Sequence, residues 1–190
     1  RAFDFADVVQ AIAAKMVKRH PHVFADASID DADAQTAAWE AQKAAEREAA
    51  ARAAGRVPSA LDDVARGLPA LIRAIKLQKR AARVGFDWSE AGEILAKIRE
   101  ELDEVEDALP RSPERVREEV GDLLFAVTNL ARRLDVEPET ALADANRKFE
   151  RRFRHMEAAL DAEGRSPEET DLAQLDALWD AAKAAERQAG

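Results

Sequence analysis

Apolar residues recur at three- and four-residue steps along much of this chain. Ile94, Ile98, Leu102, Val105 and Leu109 form one such row, and Val116, Val120, Leu123, Val127, Leu130 and Leu134 form the next. Leu142, Ala145, Phe149, Phe153, Met156 and Leu160 form a third. That period marks helices with one apolar face each. No stretch alternates apolar and polar residues between turn signals for long enough to suggest a β-hairpin. The predicted fold class is all-α.

Caps and breakers divide the chain into about seven helical segments. The first runs from near Asp4 to Arg19 and stops at His20-Pro21; the second runs from about Asp31 to Ala54 and is broken by Gly55 and Pro58. Ser59-Ala-Leu-Asp62 resembles a capping box opening a third helix, which reads to about Val84 with Gly85 as its C-cap. Asp87-Trp-Ser-Glu90 suits the start of a fourth helix ending near Leu109, and Ser112-Pro113 suits the N-cap and N1 positions of a fifth ending near Leu134. A sixth reads from Pro138 to about Ala162, and a seventh from Pro167 to the end.

The chain also repeats itself. AWEAQKAAERE at 38–48 matches LWDAAKAAERQ at 178–188, and AKMVKRH at 14–20 resembles RKFERRF at 147–153. Two matches in the same order point to a duplicated unit. The expected organisation is a helical remnant and linker over residues 1–54, followed by a complete domain over residues 59–190. The chain opens at Arg1 and not at Met, so the expectation is a fragment that begins partway through the first copy.

Composition narrows the chemistry. The 190 residues carry a formal net charge of −9 and include no Cys. Thiolate metal sites, disulfides and cysteine nucleophiles are therefore excluded, and the acidity opposes general binding to nucleic acid or anionic membranes. No apolar run approaches the roughly 20 residues that span a bilayer. A cytoplasmic protein with neither nucleic-acid nor membrane partners is expected. An acidic protein still handles polyanions when divalent cations lie between them.

The acidic residues cluster in a telling place. Glu101 falls at the edge of the fourth helix's apolar row, with Glu104 and Lys97 further round and Glu100 nearer solvent. On the fifth helix Glu119 sits at the edge and Asp122 just beyond. A short turn makes these helices antiparallel neighbours, so four carboxylates are expected to meet beside the core. The run VGDLLFAV around Asp122 is apolar on nearly every side, where an unpaired carboxylate is costly. Hard oxygen donors suit Mg²⁺ or Mn²⁺. Gly121 inside a helix costs about 1 kcal/mol against Ala and suggests a close approach by another group. With 38 acidic residues in the chain, the same spacing also arises on an ordinary solvated or ion-paired face.

On the sixth helix Lys148 and Arg152 lie on one flank at i, i+4, as a triphosphate would need, although ion pairing within the bundle accounts for the same placement. Trp179 suits either a core position or a stacking surface for a base. His20, His22 and His155 have no ligand spacing with the carboxylates and read as surface or terminal residues. A ferritin-like di-iron site needs Glu-x-x-His on two helices, and neither acidic helix has one.

Glu100-Glu101-Leu-Asp-Glu104 followed by Glu119-Val-Gly-Asp122 resembles the EExxE, spacer, ExxD signature of MazG-type nucleoside triphosphate pyrophosphohydrolases. LPALIRAIKLQKRAARVGFDW at 68–88, EEVGDLLFAVTNLARRL at 118–134 and ANRKFERRFRHME at 145–157 also resemble the C-terminal domain of two-domain members. The resemblance covers about residues 59–188 and makes the first helices look like the tail of the family's N-terminal domain. It implies an all-α fold with a four-helix core, a homodimer, and Mg²⁺-dependent hydrolysis of NTPs and dNTPs to NMP and pyrophosphate, with Mn²⁺ as a substitute ion. By motif, Glu101, Glu104, Glu119 and Asp122 would hold the metal. Lys97, Glu100, Arg115, Glu118, Lys148, Arg152 and Trp179 would contact the nucleotide, and Glu100 and Glu101 would serve catalysis, Glu100 by orienting or deprotonating the water. At position 115 close relatives are expected to carry Lys. Family members are associated with cleansing nucleotide pools and with modulating stress signalling. The alternative is a catalytically inactive helical regulator or scaffold that binds nucleotide.

Overall fold

The computed structural model describes residues 3–19 and 32–189. Seven α-helices and no strand occur among them: α1 (Phe5–Arg19), α2 (Ala32–Ala53), α3 (Ala70–Ala82), α4 (Ala91–Ala108), α5 (Pro113–Arg133), α6 (Pro138–Ala162) and α7 (Leu172–Ala189), with a 3-10 turn at Pro167–Glu169. The all-α expectation holds. The break at His20-Pro21, the start of the second helix at Asp31, and His20 and His22 lie outside the described residues; His155 is exposed.

Two boundaries differ from the expectation. Ser59 and Asp62 make the cap-like bonds, Ser59 N–H donating to Asp62 Oδ2 at 3.0 Å and Leu61 N–H to Ser59 Oγ at 3.2 Å. Yet they close a single turn, because Asp63 turns left-handed at φ 65° and α3 begins only at Ala70. Pro69 supplies the first helical carbonyl, accepting from Arg73 N–H at 2.9 Å. The last helix likewise begins at Leu172 and not at Pro167, with the Asp171 carboxylate capping Gln174 N–H at 2.8 Å. Gly85 ends α3 as expected: at φ 85° it lets Phe86 N–H reach back to the Ala81 carbonyl.

The chain forms two compact units, residues 1–65 with 80–86, and residues 66–79 with 87–190. In the first, Arg83 pairs with Glu40, Lys43 sits 3.0 Å from the centroid of the Trp39 ring, and Ala51 is buried. In the second, α4 packs most extensively against α5, and α6 against α7. The Ser112 side chain accepts from Arg115 N–H and Pro113 occupies the first turn, so α5 starts directly after the tight turn that ends α4. At the other end of this hairpin, Arg132 pairs with Asp87 and Arg133 donates to the Ser89 carbonyl. Gln78, buried on α3, donates to the Phe125 carbonyl at 2.9 Å.

The buried seam does not coincide with the apolar rows read from sequence. On α4 it comprises Ile94, Glu101 and Ala108, and on α5 it includes Glu119 and Ala126. The α4 set is spaced by seven residues, the repeat of helices that cross at a shallow angle, while on α5 Thr128 and Asn129 are buried as well. Leu102, Leu109, Val120, Leu124, Val127 and Leu134 are instead exposed in the single chain, Leu109 by 66%. Alanines occupy buried positions at the seam, and the leucine rows lie outside it. Ile94 and Leu160 are the large apolar side chains at zero exposure. Ile94→Ala is expected to cost about 2–5 kcal/mol, whereas Leu95→Ala, at 39% exposure, should cost less than about 1 kcal/mol. Urea unfolding of both variants checks this, and equal losses would contradict the assignment of the seam.

Candidate functional site

Glu101 and Glu119 occupy seam positions that a helix hairpin ordinarily fills with apolar side chains. Each is 5% exposed. One carboxylate oxygen from each of Glu101, Glu119 and Asp122 lies within 4.8 Å of the other two, Asp122 on the exposed side. Glu104 stands outside this set of three but within its field. Desolvation, then the charge on Glu101, with Glu119 and Glu100 in the same sense, pushes its carboxyl above the usual range; Lys97 opposes this. Of the four carboxylates expected to meet, the structure brings three together.

The environments of Asp122 and Gly121 differ from the expectation. Asp122 is exposed because Leu124, Phe125 and Val127, which were to surround it, are themselves exposed. A Cβ built on Gly121 would meet nothing within 4 Å. No group approaches it closely within the chain, since it lies on the exposed side of α5.

Two cations hold the buried pair in place. Lys97 Nζ is 2.8 Å from both Glu100 Oε1 and Glu101 Oε1. Arg115 is 2.6 Å from Glu118 Oε2 and 2.5 Å from Glu119 Oε1. Bonds to Glu100 first, and then to Glu101, raise the Lys97 ammonium well above its ordinary range. Each cation precedes its buried acid by four residues, the weaker order for an isolated helix, where such pairs contribute about 0.2–0.5 kcal/mol. Arg115 also sits in the first turn of α5, where the helix dipole favours acids. Leaving a buried carboxylate unpaired costs about 1–3 kcal/mol or more, so compensation of Glu101 and Glu119 outweighs the local preference.

The two helices present one module twice: KIREELDE at 97–104 and RVREEVGD at 115–122 align cation with cation and acid with acid except where Asp103 meets Gly121. Antiparallel packing sets the two modules against each other.

The donor set fits a hard divalent cation. All donors are carboxylate oxygens, and Glu101 Oε2 is buried without a hydrogen-bond partner while Oε1 is held by Lys97. An acceptor of that kind inside a helix seam is completed by a cation.

The α6–α7 pair carries the remaining candidates. Arg152 Nε donates to Glu186 Oε2 at 2.8 Å, and Arg151 reaches the other oxygen at 3.3 Å. The Arg152 bond, ahead of desolvation in its effect on balance, holds the Glu186 carboxyl below the usual carboxylate range. The Arg152 guanidinium lies 5.8 Å from the Trp179 ring centroid, and Trp179 packs on Phe149 with centroids 5.1 Å apart. Lys148 is exposed and makes no ion pair among the described residues. Glu186 was not singled out from sequence. Its partner lies 34 residues away, and only the alignment of the two AAER segments draws the eye to it.

The MazG nucleotide pyrophosphohydrolase domain matches residues 90–157, which contain the whole carboxylate hairpin. The chain is 46% identical to a nucleoside triphosphate pyrophosphohydrolase of Escherichia coli strain K12 over 184 residues, 95% of this chain and 68% of that protein. It is 38% identical to a nucleoside triphosphate pyrophosphohydrolase/pyrophosphatase MazG of Thermotoga maritima over 182 residues, 96% of this chain and 67% of that protein.

Lys97→Met should expose the role of the paired cation without reference to turnover. The metal-free variant is expected to lose on the order of 1–3 kcal/mol, and Mn²⁺ should raise its melting temperature more than that of the unaltered protein. A smaller Mn²⁺-induced rise in the variant, measured by differential scanning calorimetry, would contradict this.

Proposed function

This chain belongs to the MazG nucleotide pyrophosphohydrolase family, and we propose that it hydrolyses NTPs and dNTPs between the α and β phosphates, yielding NMP and pyrophosphate. It is a hydrolase of phosphoric anhydrides. The observation that carries the reading is the convergence of Glu101, Glu119 and Asp122 in one helix seam with an orphaned, buried Glu101 oxygen. Glu101, Glu104, Glu119 and Asp122 are the residues assigned to hold Mg²⁺, with Mn²⁺ as a substitute. When bound, the ion supplies charge neutralisation for the phosphates and a water of lowered pKa.

The chain's own residues do the rest. Glu100, exposed and paired with Lys97, accepts the proton as the water oxygen bonds to the α phosphorus. Glu101 keeps that region negative and fixes the position of Lys97. The bond from the α phosphorus to the bridging oxygen breaks, and pyrophosphate leaves with its charge met by Lys148 and Arg152. Lys97, Arg115 and Glu118 line the nucleotide's path, the two cations exchanging a carboxylate for a phosphate oxygen. Trp179, braced by Phe149, would stack on the base.

Residues 59–190 are assigned as the catalytic domain and residues 1–54 as the remnant of a second MazG-like repeat with its linker. The local pairs Lys43–Glu40 and Lys183–Asp180, at equivalent positions of the repeated segments, support the duplication. We also assign the activity to the cytoplasm, where nucleoside triphosphates are; separately, no helix among the described residues is long and apolar enough to cross a membrane.

We also assign a homodimer, supported by the exposed rows at Leu102, Leu109, Leu124, Phe125 and Leu134. Such a face is ordinarily covered. Light scattering should give twice the chain mass, and Phe125→Asp should shift it to the monomer mass; a monomeric unaltered protein would overturn this.

Product analysis with the eight common NTPs and dNTPs tests the activity. Equal NMP and pyrophosphate, abolished by EDTA and reduced at least about 100-fold in Asp122→Asn, is the expected result. NDP with orthophosphate would refute the cleavage site, and binding without turnover would favour an inactive regulator.

A further inference from the structure

The first compact unit contains a cleft of about 420 Å³ bordered by the second half of α2, the turn at Ser59 and the end of α3. Arg47, Arg80 and Arg83 all border it. Most acids around them are already engaged: Glu40 pairs with Arg83 and Lys43, Glu48 with Arg52, and Asp62 with Arg56 and the Ser59 N–H. Arg47 and Arg80 have no ion pair among the described residues, and Arg80 Nη1 is buried with no hydrogen-bond partner. The like charges act on one another. Burial first, then Arg47 and Arg83, pull the Arg80 guanidinium below its usual range, while Glu40 and Asp63 pull weakly the other way.

A partly buried, unpartnered guanidinium between two others is costly in the empty protein. Arg80 Nη1 is buried without a partner at a cleft that two further arginines also border. The cost is recovered when an anion enters. We propose that this cleft binds the phosphate group of a small organic anion of up to nucleotide size, held by Arg47 and Arg80 with Arg83 as the third cation. Phosphate suits the arrangement better than carboxylate. Guanidinium forks arriving from two helices offer more donors than the two oxygens of a carboxylate accept, whereas a phosphate dianion takes them on several sides. Ala41, Ala44, Ala60 and Val84 give the cleft apolar walls for the organic portion, and its volume lies within the ~300–1,000 Å³ of ligand sites. It shares no residue with the carboxylate hairpin.

The test uses the whole chain in EDTA, so that the carboxylate cluster, without a metal, does not attract anions. Orthophosphate, pyrophosphate and AMP are titrated by calorimetry and by thermal melting, with succinate at equal ionic strength as the carboxylate control. The expected result is binding of at least one phosphate compound, a raised melting temperature, and no comparable effect of succinate. Arg80→Gln should weaken that binding about tenfold or more. It should also melt higher than the unaltered protein when no anion is present, because the uncompensated charge is gone. Arg47→Gln, a change on the surface of α2, provides the same binding readout should Arg80→Gln fold poorly. No phosphate-dependent shift in the unaltered protein, equal binding by both variants, or an equal response to succinate would overturn the proposal.

Discussion

The second unit is organised around a like-charge pair in a place meant for leucine. Glu101 and Glu119 face each other across the α4–α5 seam, each about as enclosed as the seam residues Ala108 and Ala126. Two carboxylates cannot share such a position unless positive charge comes with them. Lys97 and Arg115 bring it from one turn earlier on the same helices, against the local preference for charge order. Small neighbours keep the helices close enough for the carboxylates to meet. The price of that closeness is the displacement of the leucine rows to the outside of the chain.

How far the sequence foretold this depends on whether a feature is local. Helix positions, the Ser112-Pro113 start and the Gly85 stop follow from a few adjacent residues and were legible. Glu101, Glu119 and Asp122 were legible as a group because one tight turn forces their helices together. The rotation of those helices was not legible. It is decided by which side chains leave room at the contact, so Leu102 and Leu109 proved exposed where the periodicity alone made them core. The start of α3 turned on the left-handed Asp63 and on Pro69, which override the cap-like bonds at Ser59 and Asp62. Glu186 was invisible for a simpler reason: its partners Arg151 and Arg152 are more than thirty residues away, on another helix.

The cations of this acidic chain fall into two physical classes. Lys97, Arg115, Arg132 and Arg152 are paired with carboxylates of the fold. Lys148, Arg47 and Arg80 are not so tied. Charge that the fold does not use is available to something else, and Arg47 and Arg80 border a single cleft.

The one-turn spacing between each cation and its buried acid also bears on how the chain comes together. A contact four residues apart forms with its own helix, in well under about a microsecond, whereas docking one helix on another is slower. Glu101 and Glu119 therefore each have a cation within reach on their own helix before the two helices dock. A counter-ion borrowed from a distant helix would give the same final charge balance but would come too late. The order of assembly is written into the spacing of the residues.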